Sequence, residues 1–159
     1  IDFSDKNCLP NVANDEIQAC LNASKSFNLN LKSMVFPGGT YGNIPILKKY
    51  GFKIYRKNVK YDLAYPYKDE YGLIITPTSV AFGRGHNWSA QYYIYRYKKY
   101  IDKAINSGTI ALFWLHPSID RWTIDKVLPS VFEYLKEKRD SNELWIGTMG
   151  EIADHINIL

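Results

Sequence analysis

Five short apolar runs, set between stretches of helical spacing, constrain the fold of this chain more than any other feature. Met34-Val35-Phe36, Phe52-Lys53-Ile54-Tyr55, Leu73-Ile74-Ile75, the run at 110–115 and Leu144-Trp145-Ile146 have the length and composition of strands. Between them the apolar residues recur every three to four positions. Asn14-Asp15 opens one such stretch, carrying Ile17, Cys20, Leu21 and Phe27. Residues 44–50 predict a short helix stopped by Gly51, and residues 88–106 a long one with Tyr and Ile on its buried side and Gly108 at its end. Thr123 is placed to cap a helix reaching about Arg139, with a kink or a shifted start at Pro129, and residues 149–158 predict a closing helix. This alternation favours an α/β fold with a mainly parallel sheet of five strands and covering helices. The nearly continuous run at 110–115 suits a strand buried on both faces. Residues 59–71 show no period and predict a loop, as do residues 83–87. No repeat, low-complexity stretch or Pro/Ser linker divides the chain, so residues 1–159 are expected to form one domain.

Composition narrows the function classes. The 159 residues, 46% hydrophobic and 23% charged, suffice for one domain with a real core. The net charge of +4 comes from scattered groups with no basic stripe, which argues against nucleic acid as a partner. The run from Lys136 to Asp140 mixes signs and predicts a solvated helix end. Cys8 and Cys20 lack metal-site spacing, and two thiols do not indicate an oxidising compartment. No apolar run reaches membrane-spanning length. The 13 tyrosines and 4 tryptophans fit both a packed core and a sugar-stacking surface, and the core is the expectation for most of them. The opening Ile1-Asp2-Phe3-Ser4-Asp5 reads like the middle of a protein.

Chemistry in such a sheet is expected at the carboxyl ends of strands. One candidate there is the loop of Pro37, Gly38, Gly39, Thr40 and Tyr41, whose backbone N–H groups are placed either to hold an oxyanion or simply to make a tight turn. Another is His116, directly after the run at 110–115 and close to Trp114, as a general acid or base or as a structural imidazole. Arg56, at the end of the second strand, suits substrate binding or an ion pair, with the ion pair weighted more heavily. His86 lies in a loop from which it can reach a substrate, and His155 is expected at the surface or in packing. Asp62, Asp120 and Asp125 are unpaired carboxylates in the sequence, and no HxxxH or HxxE pattern supplies metal ligands.

Three strings together resemble the polysaccharide deacetylase family. Residues 35–56, VFPGGTYGNIPILKKYGFKIYR, resemble its strand, Pro/Gly/Tyr loop and helix with a Gly-Phe turn. Residues 113–120, FWLHPSID, are similar to its last motif, and residues 143–156, ELWIGTMGEIADHI, to its closing strand and helix. Their order and spacing also agree. The resemblance implies part of a distorted (β/α) barrel and a hydrolase that removes acetyl groups from a carbohydrate or related amide. It implies a divalent metal, commonly zinc, held by an Asp and two His, with a second Asp as general base. On the same grounds His116 is the general acid and Pro37 to Tyr41 line the site, while Arg56 and Trp114 are candidate substrate contacts from their places at strand ends.

The family's Asp-Asp and HxxxH motifs are absent from this sequence, and Phe36-Pro37-Gly38 stands where Arg-Pro-Pro is common. The expectation is therefore the C-terminal part of such a domain, inactive alone and without its own metal ligands. The five strands against the family's roughly seven leave an open sheet edge, expected to be covered by the missing N-terminal segment or another chain. The alternatives are a non-catalytic carbohydrate-binding or scaffold protein of the same fold and, ranked last, an unrelated enzyme pairing His116 with Arg56 or Asp62.

Overall fold

Residues 2–58, 63–78, 80–116 and 118–156 are described in a computed structural model. In chain order the elements are α1 (Pro10–Lys25), β1 (Ser33–Val35), a 3-10 turn (Pro37–Gly39), α2 (Ile44–Lys49), β2 (Ile54–Lys57), β3 (Tyr67–Lys68), β4 (Ile74–Pro77), β5 (Val80–Ala81), α3 (Ala90–Ser107), β6 (Phe113–Trp114), α4 (Arg121–Lys126), α5 (Leu128–Asp140) and α6 (Met149–Ile156). They fall into two units, one comprising Ile1–Asn58, Pro66–Thr76 and Gly147–Leu159 and the other Val59–Tyr65 and Pro77–Ile146.

In the first unit, alternation along the strands decides the layering. The sheet order is β1-β2-β4-β3. β1 runs parallel to β2 with Met34 opposite Tyr55, and β3 closes one edge antiparallel to β4. Successive strand residues point to opposite faces. Tyr55, Leu73 and Ile75 join Ala13 and Ile17 of α1 and Leu47 of α2 in one cluster, whereas Ile54 and Ile74 pack on Ala153 of α6 with Met149 and Ile152 around them. The sheet is thus covered on both faces, and β4 is buried along its whole length. Full burial of each Leu or Ile side chain contributes about 1.5–3 kcal/mol. On the α6 side Asp154 bridges Lys32 at 2.7 Å and Lys53 at 2.5 Å, tying the helix to the starts of β1 and β2.

The segment before α1 is fastened to the loop before α2. Asn43 lies in the left-handed region at φ +53, and its carboxamide nitrogen donates to the carbonyls of Phe3 (3.1 Å) and Cys8 (3.0 Å). Its backbone N–H donates to the Asp5 carboxylate at 2.7 Å. Gly42 passes so close to this segment that a Cβ would lie 2.4 Å from the Phe3 oxygen and the Asp5 nitrogen.

The second unit is built on a parallel pair, β5 and β6, with Val80 opposite Phe113 and Ala81 opposite Trp114. Ser89 caps α3 by accepting the Tyr92 N–H, and Gly108, at φ +60, ends it. Tyr93, Tyr97, Ile101 and Ala104 form the buried stripe of α3. They pack with Phe82, Val127, Leu128 and Val131, and Phe82 stacks on Phe113 at 4.9 Å between ring centres.

Several sequence expectations are corrected. α1 begins at Pro10 instead of Asn14, because proline at the first turn presets φ and its missing N–H needs no partner there. Asp120, not Thr123, caps α4: its carboxylate accepts both the backbone N–H (2.9 Å) and the hydroxyl (2.8 Å) of Thr123. The interruption expected at Pro129 is present: the helix to Arg139 is broken at Val127, and Pro129 sits in the first turn of α5, where it is tolerated. The run at 110–115 is not a strand buried on both faces. Among the described residues Phe113 and Trp114 are the ones that pair in a ladder with β5, both are half-buried, and Leu115 is exposed. Leu144-Trp145-Ile146 form no strand, and Trp145 and Ile146 are 57% and 51% exposed. The loop expected at 59–71 contains β3, while its residues 59–62, with Asp62, lie outside the described residues, as do residues 157–159 at the end of the closing helix.

The Asn43 junction yields a direct test. Asn43→Ala removes two buried hydrogen bonds and puts a Cβ-bearing residue without a local carboxamide in a left-handed position, for an expected loss of about 2–4 kcal/mol. Gly42→Ala forces backbone apart and should cost at least about 2 kcal/mol. Denaturant unfolding followed by circular dichroism measures both, and a wild-type midpoint for Asn43→Ala would contradict this account.

Candidate functional site

The expected site residues fall in both units, and each group has its own local geometry. In the second unit His116 lies two residues beyond the end of β6, after Leu115, and is exposed. Trp114 presents its ring edge-on to the imidazole, 5.2 Å between centres. The His116 carbonyl accepts the Ile119 N–H at 3.0 Å, which turns the chain toward α4. Because β5 and β6 are parallel, His116 lies at the same end of the pair as the loop that follows β5.

In the first unit the Pro37 loop is tightly turned. Gly38 and Gly39 adopt φ of +64 and +73, a region open to glycine at no steric cost. The N–H groups of Gly39 and Thr40 donate to the carbonyls of Phe36 (3.3 Å) and Pro37 (3.4 Å), and the Thr40 hydroxyl also donates to Pro37. Those two N–H groups are engaged within the turn. Tyr41 packs edge-on to the buried Phe36, carries Lys57 over its ring at 5.2 Å and donates its hydroxyl to the Asn58 carbonyl at 3.4 Å. Arg56 is half-buried in β2, opposite Val35, and burial draws its pKa below the ordinary guanidinium range.

Two of the carboxylates named from sequence, Asp120 and Asp125, have structural duties. Burial works against ionising Asp120, but its bonds to Thr123, with the Arg84 charge in support, hold its carboxyl below the usual range. Asp125 pairs with Arg121 at 3.2 Å on the surface of α4. His155 is exposed on α6. Among the described residues no group of three or more His, Cys, Asp and Glu is arranged to hold a metal ion.

A cleft of ≈ 490 Å³ against α3 gathers residues that sequence reasoning did not combine. Its walls include Arg84 and His86 from the loop after β5, Trp88 ahead of α3, and Arg96 and Tyr100 on α3. His86 stacks on Trp88 at 4.3 Å between centres, and the Arg96 guanidinium lies over the same indole at 4.8 Å. Arg84 lies over Trp122 at 4.7 Å. Two tyrosines, one helical turn apart, fix the loop. The Tyr93 hydroxyl accepts the His86 N–H and donates to the His86 carbonyl, both at 2.8 Å. The Tyr97 hydroxyl accepts the Gly83 N–H at 3.3 Å and faces the Ala81 carbonyl at 3.2 Å, and burial raises its pKa, keeping it a neutral donor. The legible signal was the spacing of Trp88, Tyr92 and Arg96 on one helical side beyond a Gly-Arg-Gly-His loop. What the tyrosine hydroxyls hold depends on how that loop folds back.

Removing one hydroxyl separates clamp from core. Tyr97→Phe keeps the ring and should cost about 1 kcal/mol, while amide exchange at Gly83 quickens and that of the middle of α3 stays unchanged. Equal protection at Gly83 in both proteins would refute the clamp. Comparison of the chain with protein-family models, with curated proteins and with solved structures gave no match.

Proposed function

We propose that this chain is the C-terminal part of a metal-dependent hydrolase that removes acetyl groups from a carbohydrate or related amide, with His116 as general acid. The observation carrying this reading is the position of His116, an exposed imidazole two residues beyond a strand parallel to its neighbour. Ligands in α/β proteins gather at that end of parallel strands. His116 also stands within the Phe-Trp-Leu-His-Pro string of the deacetylase resemblance. In the reaction a general base takes a proton from water as its oxygen bonds to the acyl carbon, the C–N bond then breaks to release acetate, and the departing nitrogen takes a proton from the His116 ring. Trp114, edge-on to the imidazole, limits its orientation.

The divalent metal implied by the resemblance, zinc foremost, would polarise the acyl carbonyl. The described residues do not offer a ligand set that fits it. We therefore assign this chain the acid side of the reaction and place the metal ligands on a further polypeptide segment, which would also cover the open sheet edge.

A non-catalytic carbohydrate-binding protein is the second reading, favoured by the aromatic cleft against α3. Acetate release from acetylated oligosaccharides, by the protein in its full native length with zinc supplied, separates the two. The hydrolase reading expects turnover, with kcat lowered about 10²–10⁴-fold in His116→Ala. Undiminished turnover in that variant removes His116 from the mechanism. Glycan binding with no acetate release leaves the second reading standing.

A further inference from the structure

The cleft against α3 has features that neither a core nor an ordinary surface requires. Its two arginines each set the guanidinium carbon over an indole, Arg96 4.8 Å from the centre of Trp88 and Arg84 4.7 Å from that of Trp122. Stacking fixes a guanidinium by its face and leaves the N–H groups on its edge available to accept a planar anion. Among the described residues neither arginine forms an ion pair with a carboxylate. Asp120 acts on Arg84 through its charge, but both its oxygens are occupied by Thr123. Arg96 is thus the less compensated of the two cations. His86, stacked on Trp88, adds a ring donor to the same wall.

The loop that carries Arg84 and His86 is not left to find its shape when a ligand arrives. The hydroxyls of Tyr93 and Tyr97 tie its backbone at His86 and Gly83 to α3. A wall fixed in advance loses less conformational entropy on binding. The cleft therefore combines three elements: cations without carboxylate partners, aromatic faces and a fastened loop. Aromatic faces suit the apolar side of a pyranose, and edge-on guanidinium donors suit a carboxylate or phosphate. A nucleic acid would instead call for cations spread along a track of phosphates, and here they converge on one cleft.

We propose that this cleft binds a sugar bearing an anionic oxygen group, a uronate carboxylate or a sugar phosphate, with Arg96 and Arg84 on the anion and Trp88 and Tyr100 lining the ring. The carbohydrate part of this proposal rests on the function proposed above, and it deepens that reading by making the ligand acidic.

Calorimetric titration of the protein tests it with four probes: an oligogalacturonate, a neutral cello-oligosaccharide of equal length, inorganic sulfate, and a single-stranded oligonucleotide. The expected result is oligogalacturonate binding at least ~10-fold tighter than each of the others, weakening as salt rises. Arg96→Gln should lower that affinity ~10-fold or more without changing the weak affinity for the neutral sugar. Arg96→Lys, which keeps the charge but not the planar fork, should recover only part of the loss. Thermal unfolding of each variant distinguishes a lost contact from a lost fold, and Arg84→Gln supplies a second reading should Arg96→Gln unfold. Equal affinity for the acidic and neutral sugars, for sulfate and the acidic sugar, or for the oligonucleotide overturns the proposal, as does wild-type affinity in both glutamine variants. Acetate release is a separate readout: its absence with acidic-sugar binding intact overturns the hydrolase and spares the cleft, and its presence with no arginine-dependent binding does the reverse.

Discussion

Asn43 holds the carbonyls of Phe3 and Cys8 through one buried carboxamide, and its own N–H reaches Asp5. Much of the first unit depends on this junction. It sets residues 3–8 against the loop that Gly42 and Asn43 complete, and so positions Phe3 and Cys8 in the cluster that also takes Phe36, Leu47 and Tyr55. Phe36 meets Phe3, Tyr41 and Tyr55 edge-on at 5.8–6.1 Å, so the base of the Pro37 turn is fixed by one ring of its own loop and by rings from two other segments. A turn anchored in this way keeps its shape without being long or regular. The glycines at 38 and 39 supply the backbone freedom, and the aromatic base supplies the constraint.

How much of this was legible depends on whether the deciding interaction is local. Gly51 and Gly108 end α2 and α3 where the sequence places their stops, because the left-handed terminus is a property of a few adjacent residues. The apolar period likewise gives the buried stripe of α3. Strand pairing is not local, and there the expectations part from the structure. Leu144-Trp145-Ile146 has strand composition, but composition cannot supply a ladder, and the segment has no regular secondary structure. The run at 110–115 pairs over two residues for the same reason. Asp120 and Thr123 show a finer ambiguity: both residue types cap helices, and here one caps while the other donates to it.

The candidate site was legible to a similar depth. The exposed His116 after β6 was readable from its place behind an apolar run, and the Pro37 turn from its glycines. The cleft against α3 was not, although its residues are conspicuous one by one. Packing is the expectation for most of the 13 tyrosines, but Tyr65, Tyr67, Tyr71, Tyr92 and Tyr95 are exposed, whereas Tyr93 and Tyr97 are buried. Yet each also directs its hydroxyl at loop backbone, and no periodicity argument separates a buried ring that ends in packing from one that ends in a hydrogen bond.

That dual use links the core of the second unit to its surface chemistry. The rings of Tyr93 and Tyr97 pack with Phe82, Ile101 and Val127, so their positions are set by the same cluster that stabilises the unit. Their hydroxyls then transmit that position to Gly83 and His86, and through them to the wall bearing Arg84. Trp88 and Trp122, packed against the same cluster, carry Arg96 and Arg84 on their faces. Each cation is therefore located by an aromatic ring and each ring by the core. Under this arrangement an arginine needs no carboxylate to be held in place, which leaves its hydrogen-bonding edge uncommitted, a condition that a buried or surface ion pair would remove.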